Sequence, residues 1–152
     1  MGGYADKLQK KAGEVLRPDE KLISAVRAAP RGSTTGMAVG GLVGMAVASR
    51  QAKKAHEQLG EGTLASSWPQ GQAAVGLTDQ RILTFNYTAM GKPKDLTGEF
   101  PLDQISSVDM EKKKLVNALS FGFVDGSVMV VECKKLEKAD DFIAAFRGVK
   151  GA

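Results

Sequence analysis

The sequence predicts a mainly β protein: an antiparallel seven-stranded barrel or orthogonal sandwich. A C-terminal helix caps it, and a Gly-rich helical insertion follows the first strand. Three observations predict this. Residues 72–134 read as short strands separated by turns, with no βαβ alternation that would signal a parallel sheet. The dipeptide "DG" at 125–126 lies between two apolar runs and is a strong hairpin signal. The last strand is followed by "KADDFIAAFRGV", in which Ala139, Phe142, Ile143 and Phe146 fall at helical spacing.

Taken in order, Tyr4, Leu8, Ala12 and Val15/Leu16 recur at helical spacing among Lys7, Lys10, Lys11 and Glu14. They predict an amphipathic helix within residues 1–17, stopped before Pro18. "KLISAVRAA" (21–29) partly alternates and ends before Pro30, as a strand would. The stretch from Gly32 to Ser49 holds no charged residue. Gly36, Gly40, Gly44 and Ala48 recur every four residues, and Val39, Val43 and Val47 form the neighbouring ridge. That spacing is helical, and the helix is expected to continue through "RQAKKAHEQL" to Gly60. Each Gly weakens an isolated helix by roughly 1 kcal/mol relative to Ala, so something must pack against this one. "EGTLASSWPQG" reads as a loop, and the insertion is placed at 31–67.

The strands that follow are "QAAVGL" (72–77), "RILTFNY" (81–87), "LTGEF" (96–100), "ISSVDMEKK" (105–113), "VNALSFGFV" (116–124) and "SVMVVECK" (127–134). Leu83, Phe85 and Tyr87 share one face, as do Leu119, Phe121 and Phe123. "AMGKPKD" (89–95) reads as a loop. Asp140 and Asp141 suit the N-terminus of the last helix and Arg147 its C-terminus, with Gly148 expected to end it.

Composition sets the class. The 152 residues are 43% hydrophobic and 25% charged, as in a globular domain with an appendage. Only 6% are aromatic, so the core must rest on aliphatic residues and Phe. A net charge of +4 favours anionic contact surfaces. The single cysteine, Cys133, allows no internal disulfide and fits a reducing compartment, so a cytoplasmic location is expected, peripheral at a membrane where it associates with one. "MGGYADKLQKK" lacks the apolar core of a secretory signal, and Asp6 stands where a myristoylation signal carries Ser or Thr.

The element order and three motifs carry a resemblance. "VGLTDQRILTF" (75–85), "GEFPLDQISSVD" (98–109) and "DGSVMVVE" (125–132), with the closing Phe-containing helix, resemble bacterial PH-like domains of the pleckstrin-homology superfold. The resemblance covers residues 20–150 around the insertion, and it extends to members with a Gly/Ala-rich insertion after the first strand. It implies a binding or adaptor module, often at membranes, without catalytic residues. One feature departs from it. Phosphoinositide-binding PH domains carry Lys and Arg on the first two strands and the loop between them. Here Arg27 and Arg31 stand near the end of the first strand, and "QAAVGL" has no basic residue.

Catalytic chemistry finds little support. A triad needs a base held beside its nucleophile. His56, the single histidine, sits among Lys53, Lys54 and Glu57, and Cys133 ends a strand. The Cys and His supply is too small for a zinc site, and no phosphate-binding Gly motif is present, so no metal or cofactor is expected. The basic runs "EKKKL" (111–115), "CKKLEK" (133–138) and "QAKKAH" have no interleaved aromatics, which disfavours nucleic acid as a partner. They read as solvated faces or edge protection.

The insertion therefore carries the functional expectation. As a membrane span its eighteen uncharged residues reach about 27 Å, marginal for a hydrocarbon core of about 30 Å. If 21–29 pairs with strands after 72, both of its ends also lie on one side. As an interfacial helix it would offer Met37, Leu42 and Met45 to the bilayer, and Arg31, Arg50, Lys53 and Lys54 to anionic headgroups. As a packing helix it would use Gly36, Gly40, Gly44 and Ala48 against its own sheet or against a second copy. The expected function is a non-catalytic binding or adaptor module, associating with an anionic membrane surface or a protein partner through this helix. The alternative is a self-assembling structural protein that forms a homo-oligomer through the same stripe. Salt separates them, because lysine-mediated lipid binding is screened and apolar packing is not.

Overall fold

In the computed structural model, which describes residues 4–30, 62–69, 72–88 and 90–150, seven antiparallel strands form one sheet. They are β1 (Leu22–Pro30), β2 (Ala73–Thr78), β3 (Arg81–Tyr87), β4 (Pro93–Pro101), β5 (Ile105–Lys112), β6 (Val116–Phe123) and β7 (Val128–Lys134), flanked by helices α1 (Tyr4–Ala12) and α2 (Ala139–Lys150). The strand order is β4-β3-β2-β1-β7-β6-β5. The sheet turns at β1, whose Leu22–Ala28 stretch pairs with β2 while Ala29 and Pro30 pair with Glu132 and Val131 of β7.

Local chemistry fixes the hairpins. Between β2 and β3 the Thr78 hydroxyl accepts from the Gln80 and Arg81 N–H groups at 3.0 and 2.9 Å, so two residues suffice to reverse the chain. Between β6 and β7, Gly126 takes the left-handed conformation at φ +88°, as a short hairpin loop ending in a glycine requires.

The two halves enclose the main core. Val26, Leu77, Ile82, Phe100, Ile105, Leu119 and Phe121 meet Phe142, Ile143 and Phe146 of α2 there. Each strand's alternate residues face the other way. On the β1–β3 half, that outer face is covered by α1: Tyr4, Leu8 and Ala12 pack on Leu22, Ala74, Leu83 and Phe85. A Cβ at Gly76 would stand 3.0 Å from the Leu8 and Leu22 side chains, so the bare glycine lets the helix sit close. The expected Leu83–Phe85–Tyr87 face is thus real, but it serves the helix rather than the barrel interior.

Most strand ends fall within one residue of the sequence expectation, and four departures are larger or change the kind of element. Helix α1 stops at Ala12 instead of reaching Leu16; the Val15 and Leu16 N–H groups both turn back onto the Ala12 carbonyl. Strand β4 starts at Pro93, because Tyr87 at the end of β3 pairs with it. Helix α2 passes through Gly148 to Lys150, with Arg147 and Lys150 placed favourably at its C-terminal end. Within the stretch expected to be a loop, Ala65–Ser67 form a 3₁₀ turn that drives Trp68 into the core. The Gly-rich helix expected in the insertion lies outside the described residues.

Candidate functional site

All eleven residues singled out for contact (Arg31, Gly36, Met37, Gly40, Leu42, Gly44, Met45, Ala48, Arg50, Lys53 and Lys54) lie outside the described residues, as does His56. The structure does define how the chain on either side of them is held. On the leading side, Ala29 and Pro30 are hydrogen-bonded into the sheet beside β7. On the returning side, the Leu64 N–H donates to Asp125 Oδ2 at 2.8 Å and the Ala65 N–H to Ser127 Oγ at 3.1 Å. Both acceptors belong to the β6–β7 hairpin. Trp68 then enters the core, stacked on Phe100 with centroids 5.3 Å apart and tilted against Phe121 at 4.7 Å. Sequence reasoning missed this anchor, since a lone Trp between Ser and Pro does not reveal what lies across the barrel from it.

Arg27, the basic residue of β1, is already engaged. Its Nε and Nη2 donate to Glu137, the latter at 2.7 Å, and its backbone N–H donates to Glu137 Oε1, also at 2.7 Å. The guanidinium carbon lies 4.9 Å from the Tyr4 ring centroid. Tyr4 in turn donates to the Gly91 carbonyl at 2.8 Å. These contacts tie α1, β1, the β3–β4 loop and the segment before α2 into one cluster. Burial raises the Tyr4 pKa to about 12 despite the nearby Arg27, so the phenol stays a donor. With Arg27 paired and every side chain of β2 buried without a basic group, the first two strands offer no free cation to an inositol phosphate.

A second polar knot closes the opposite end of this half. Arg81 donates from Nε and Nη2 to Glu20, from Nη1 to Glu99 at 2.7 Å, and from Nη2 to the Val15 carbonyl. Thr78 adds a 2.6 Å bond to Glu20. The knot fastens the chain after α1 onto the β2–β3 hairpin and is structural.

The structure brings together two basic runs that are separate in sequence. The β5–β6 loop closes with the Lys113 N–H donating to the Val116 carbonyl, leaving Lys114 and Leu115 exposed. Val116 pairs with Lys134, so the lysines of 112–114 and of 134–138 share one end of the β5–β7 half. Lys135 donates to Asn117 across that junction at 2.8 Å. The signal was available: two successive hairpins return β7 to the end where β6 began.

Cys133 is fully buried, and desolvation pushes its thiol up to about 12, so it is no nucleophile at neutral pH. Among the described residues no group of three His, Cys, Asp or Glu side chains is placed to hold a metal, and no helix is long and apolar enough to cross a membrane.

Two solved structures align over most of this chain. A crystal structure of a DUF1696 family protein with a pleckstrin-homology domain, from Shewanella loihica, aligns with a TM-score of 0.53 at 12% identity, over 96% of this chain and 92% of that one. The hSac2 domain from the human phosphoinositide phosphatase Sac2 aligns with a TM-score of 0.46 at 10% identity, over 97% of this chain and 80% of that one. No curated protein matches the sequence. The family model for the bacterial PH domain matches residues 16–147, from just before β1 into α2. Seven antiparallel strands with a closing helix, and a family match across nearly all of them, place the chain in the bacterial PH domain family.

Proposed function

We propose that this chain is a non-catalytic binding or adaptor module that reaches a membrane surface or a protein partner through the segment spanning residues 31–61. The observation that carries this reading is the way both flanks of the segment are held. Pairing with β7 holds Ala29–Pro30 on one side, and hairpin hydrogen bonds and core packing hold Leu64–Trp68 on the other. A barrel that holds both flanks firmly presents what lies between them from a fixed base. In this reading Met37, Leu42 and Met45 supply apolar contact, while Arg31, Arg50, Lys53 and Lys54 supply attraction to an anionic surface. The buried, protonated Cys133 supports a role without covalent chemistry.

A second reading rests on the small-residue stripe. Gly36, Gly40, Gly44 and Ala48 would let two copies approach closely, making the segment an oligomer interface. Flotation with phosphatidylserine vesicles at low and high salt, beside light scattering without lipid, separates the two. Wild-type flotation that weakens with salt is the expected result. A large lipid-free assembly broken by Gly40→Leu/Gly44→Leu would establish self-assembly instead. A monomer that ignores vesicles would sink both the membrane reading and the oligomer reading.

A further inference from the structure

We propose that the lysine-rich end of the β5–β7 half is a separate docking surface for anionic lipid headgroups, with Leu115 as its apolar anchor. This goes beyond the role given to residues 31–61 and does not depend on it. The return from that segment is pinned at the β6–β7 hairpin, whereas the lysines stand at the other end of β6. The eight residues of β6 separate the returning flank from the lysines by roughly 25 Å, while the leading flank pairs with Val131 of β7, three residues from Lys134.

Six lysines meet here: Lys112, Lys113, Lys114, Lys134, Lys135 and Lys138. The carboxylates at this end are Glu111, Glu132, Glu137, Asp140 and Asp141, and three of the five are occupied. Glu137 is taken by Arg27, Glu132 lies 3.6 Å from Lys113, and Asp140 lies 3.4 Å from Lys112. Lys114, Lys134 and Lys138 are exposed and make no ion pair among the described residues. Edge protection explains Lys112 on the edge strand β5, but not these three. Among them Leu115 is 65% exposed at the tip of its loop. An exposed aliphatic side chain at the lysine-rich end fits the boundary between headgroups and acyl chains. The leucine enters the apolar layer while the ammonium groups stay level with the phosphates. Nucleic acid fits less well. None of the large apolar residues exposed among the described residues is aromatic, so a stacking platform for bases is missing.

The test is flotation of the full chain with phosphatidylcholine vesicles, with and without about 30% phosphatidylserine, at two salt concentrations. Wild type is compared with Lys114→Gln/Lys134→Gln/Lys138→Asn, with Leu115→Ala, and with Arg50→Gln/Lys53→Gln/Lys54→Gln. Asn is chosen at 138 because that residue has φ +53°. Unchanged thermal melting and Trp68 fluorescence establish that each variant is folded. Each lysine near an anionic surface is worth about fivefold in affinity, so the triple lysine variant is expected to lose roughly 100-fold. Leu115→Ala is expected to lose about fivefold with an unchanged salt response. Phosphatidylserine binding that survives the insertion variant and is lost in the lysine-end variant supports the proposal. Binding lost only in the insertion variant overturns it and leaves the role of residues 31–61 intact. A wild type that never floats overturns it too, as does retention of duplex DNA by these lysines without vesicle binding. Leu115→Ala floating like wild type overturns the anchor.

Discussion

Arg81 is a charge that the fold must neutralise, because its side chain is only 6% exposed. Glu20, fully buried, answers it with two hydrogen bonds, and Thr78 and the Arg17 N–H complete the carboxylate's partners. Burial alone would raise the Glu20 pKa, but the bonds from Arg81, Thr78 and Arg17 outweigh it and hold the value at about 2. A folded-state pKa below the unfolded value of 4.5 contributes stability at neutral pH. That contribution is complete above about pH 4.5 and is lost as pH falls towards about 2. Glu20→Gln leaves Arg81 with Glu99 alone as a charged partner, and is expected to cost roughly 3 kcal/mol. Denaturant melts of the two proteins against pH check this. Wild type should lose its advantage over the variant between pH 4.5 and 2, and the curves should be parallel above pH 5. Arg27 follows the same logic at the other end of the half. Hydrogen bonds to Glu137 raise its pKa, so a cation that looked available in sequence is spent on structure.

At the scale of elements, the segment Leu64–Trp68 matters most for how the insertion is carried. Trp68→Ala is expected to cost about 3–5 kcal/mol, as for other buried aromatics, and to lower Tm by roughly 10 °C or more. Thermal unfolding followed by far-UV circular dichroism measures it. A loss under 1 kcal/mol would mean the indole does not fasten the return. The strands were legible because alternation and turn chemistry are local: Thr78 and Gly126 act within their own turns. Where the elements dock was less legible. The stripe of Tyr4, Leu8 and Ala12 looks the same whether it covers its own sheet or a partner's, and only the structure places it on Leu83 and Phe85. Trp68 was hidden for a related reason, since the rings it packs on, Phe100 and Phe121, are distant in sequence, whereas the lysine end follows from two successive hairpins. The contact residues in 31–61 were picked from composition and spacing alone, and they stand outside the described residues.

At the scale of the whole molecule, the chain divides its work. The β-barrel core, α2 and α1 make a closed scaffold whose buried polar groups are paired within it. The proposed contacts are residues 31–61, which join Pro30 to Gly62, and the lysines around Leu115. In the proposed reading, residues 31–61 are carried by the barrel without being needed to build it. The most direct test replaces residues 32–61 with a flexible Gly/Ser linker of about ten residues. The account predicts unchanged near-UV circular dichroism from Trp68 and a Tm within a few degrees of the intact chain. It also predicts vesicle binding and self-association reduced to what the lysine end alone supports. A replacement that fails to fold, or one that floats and associates as the intact chain does, would contradict it.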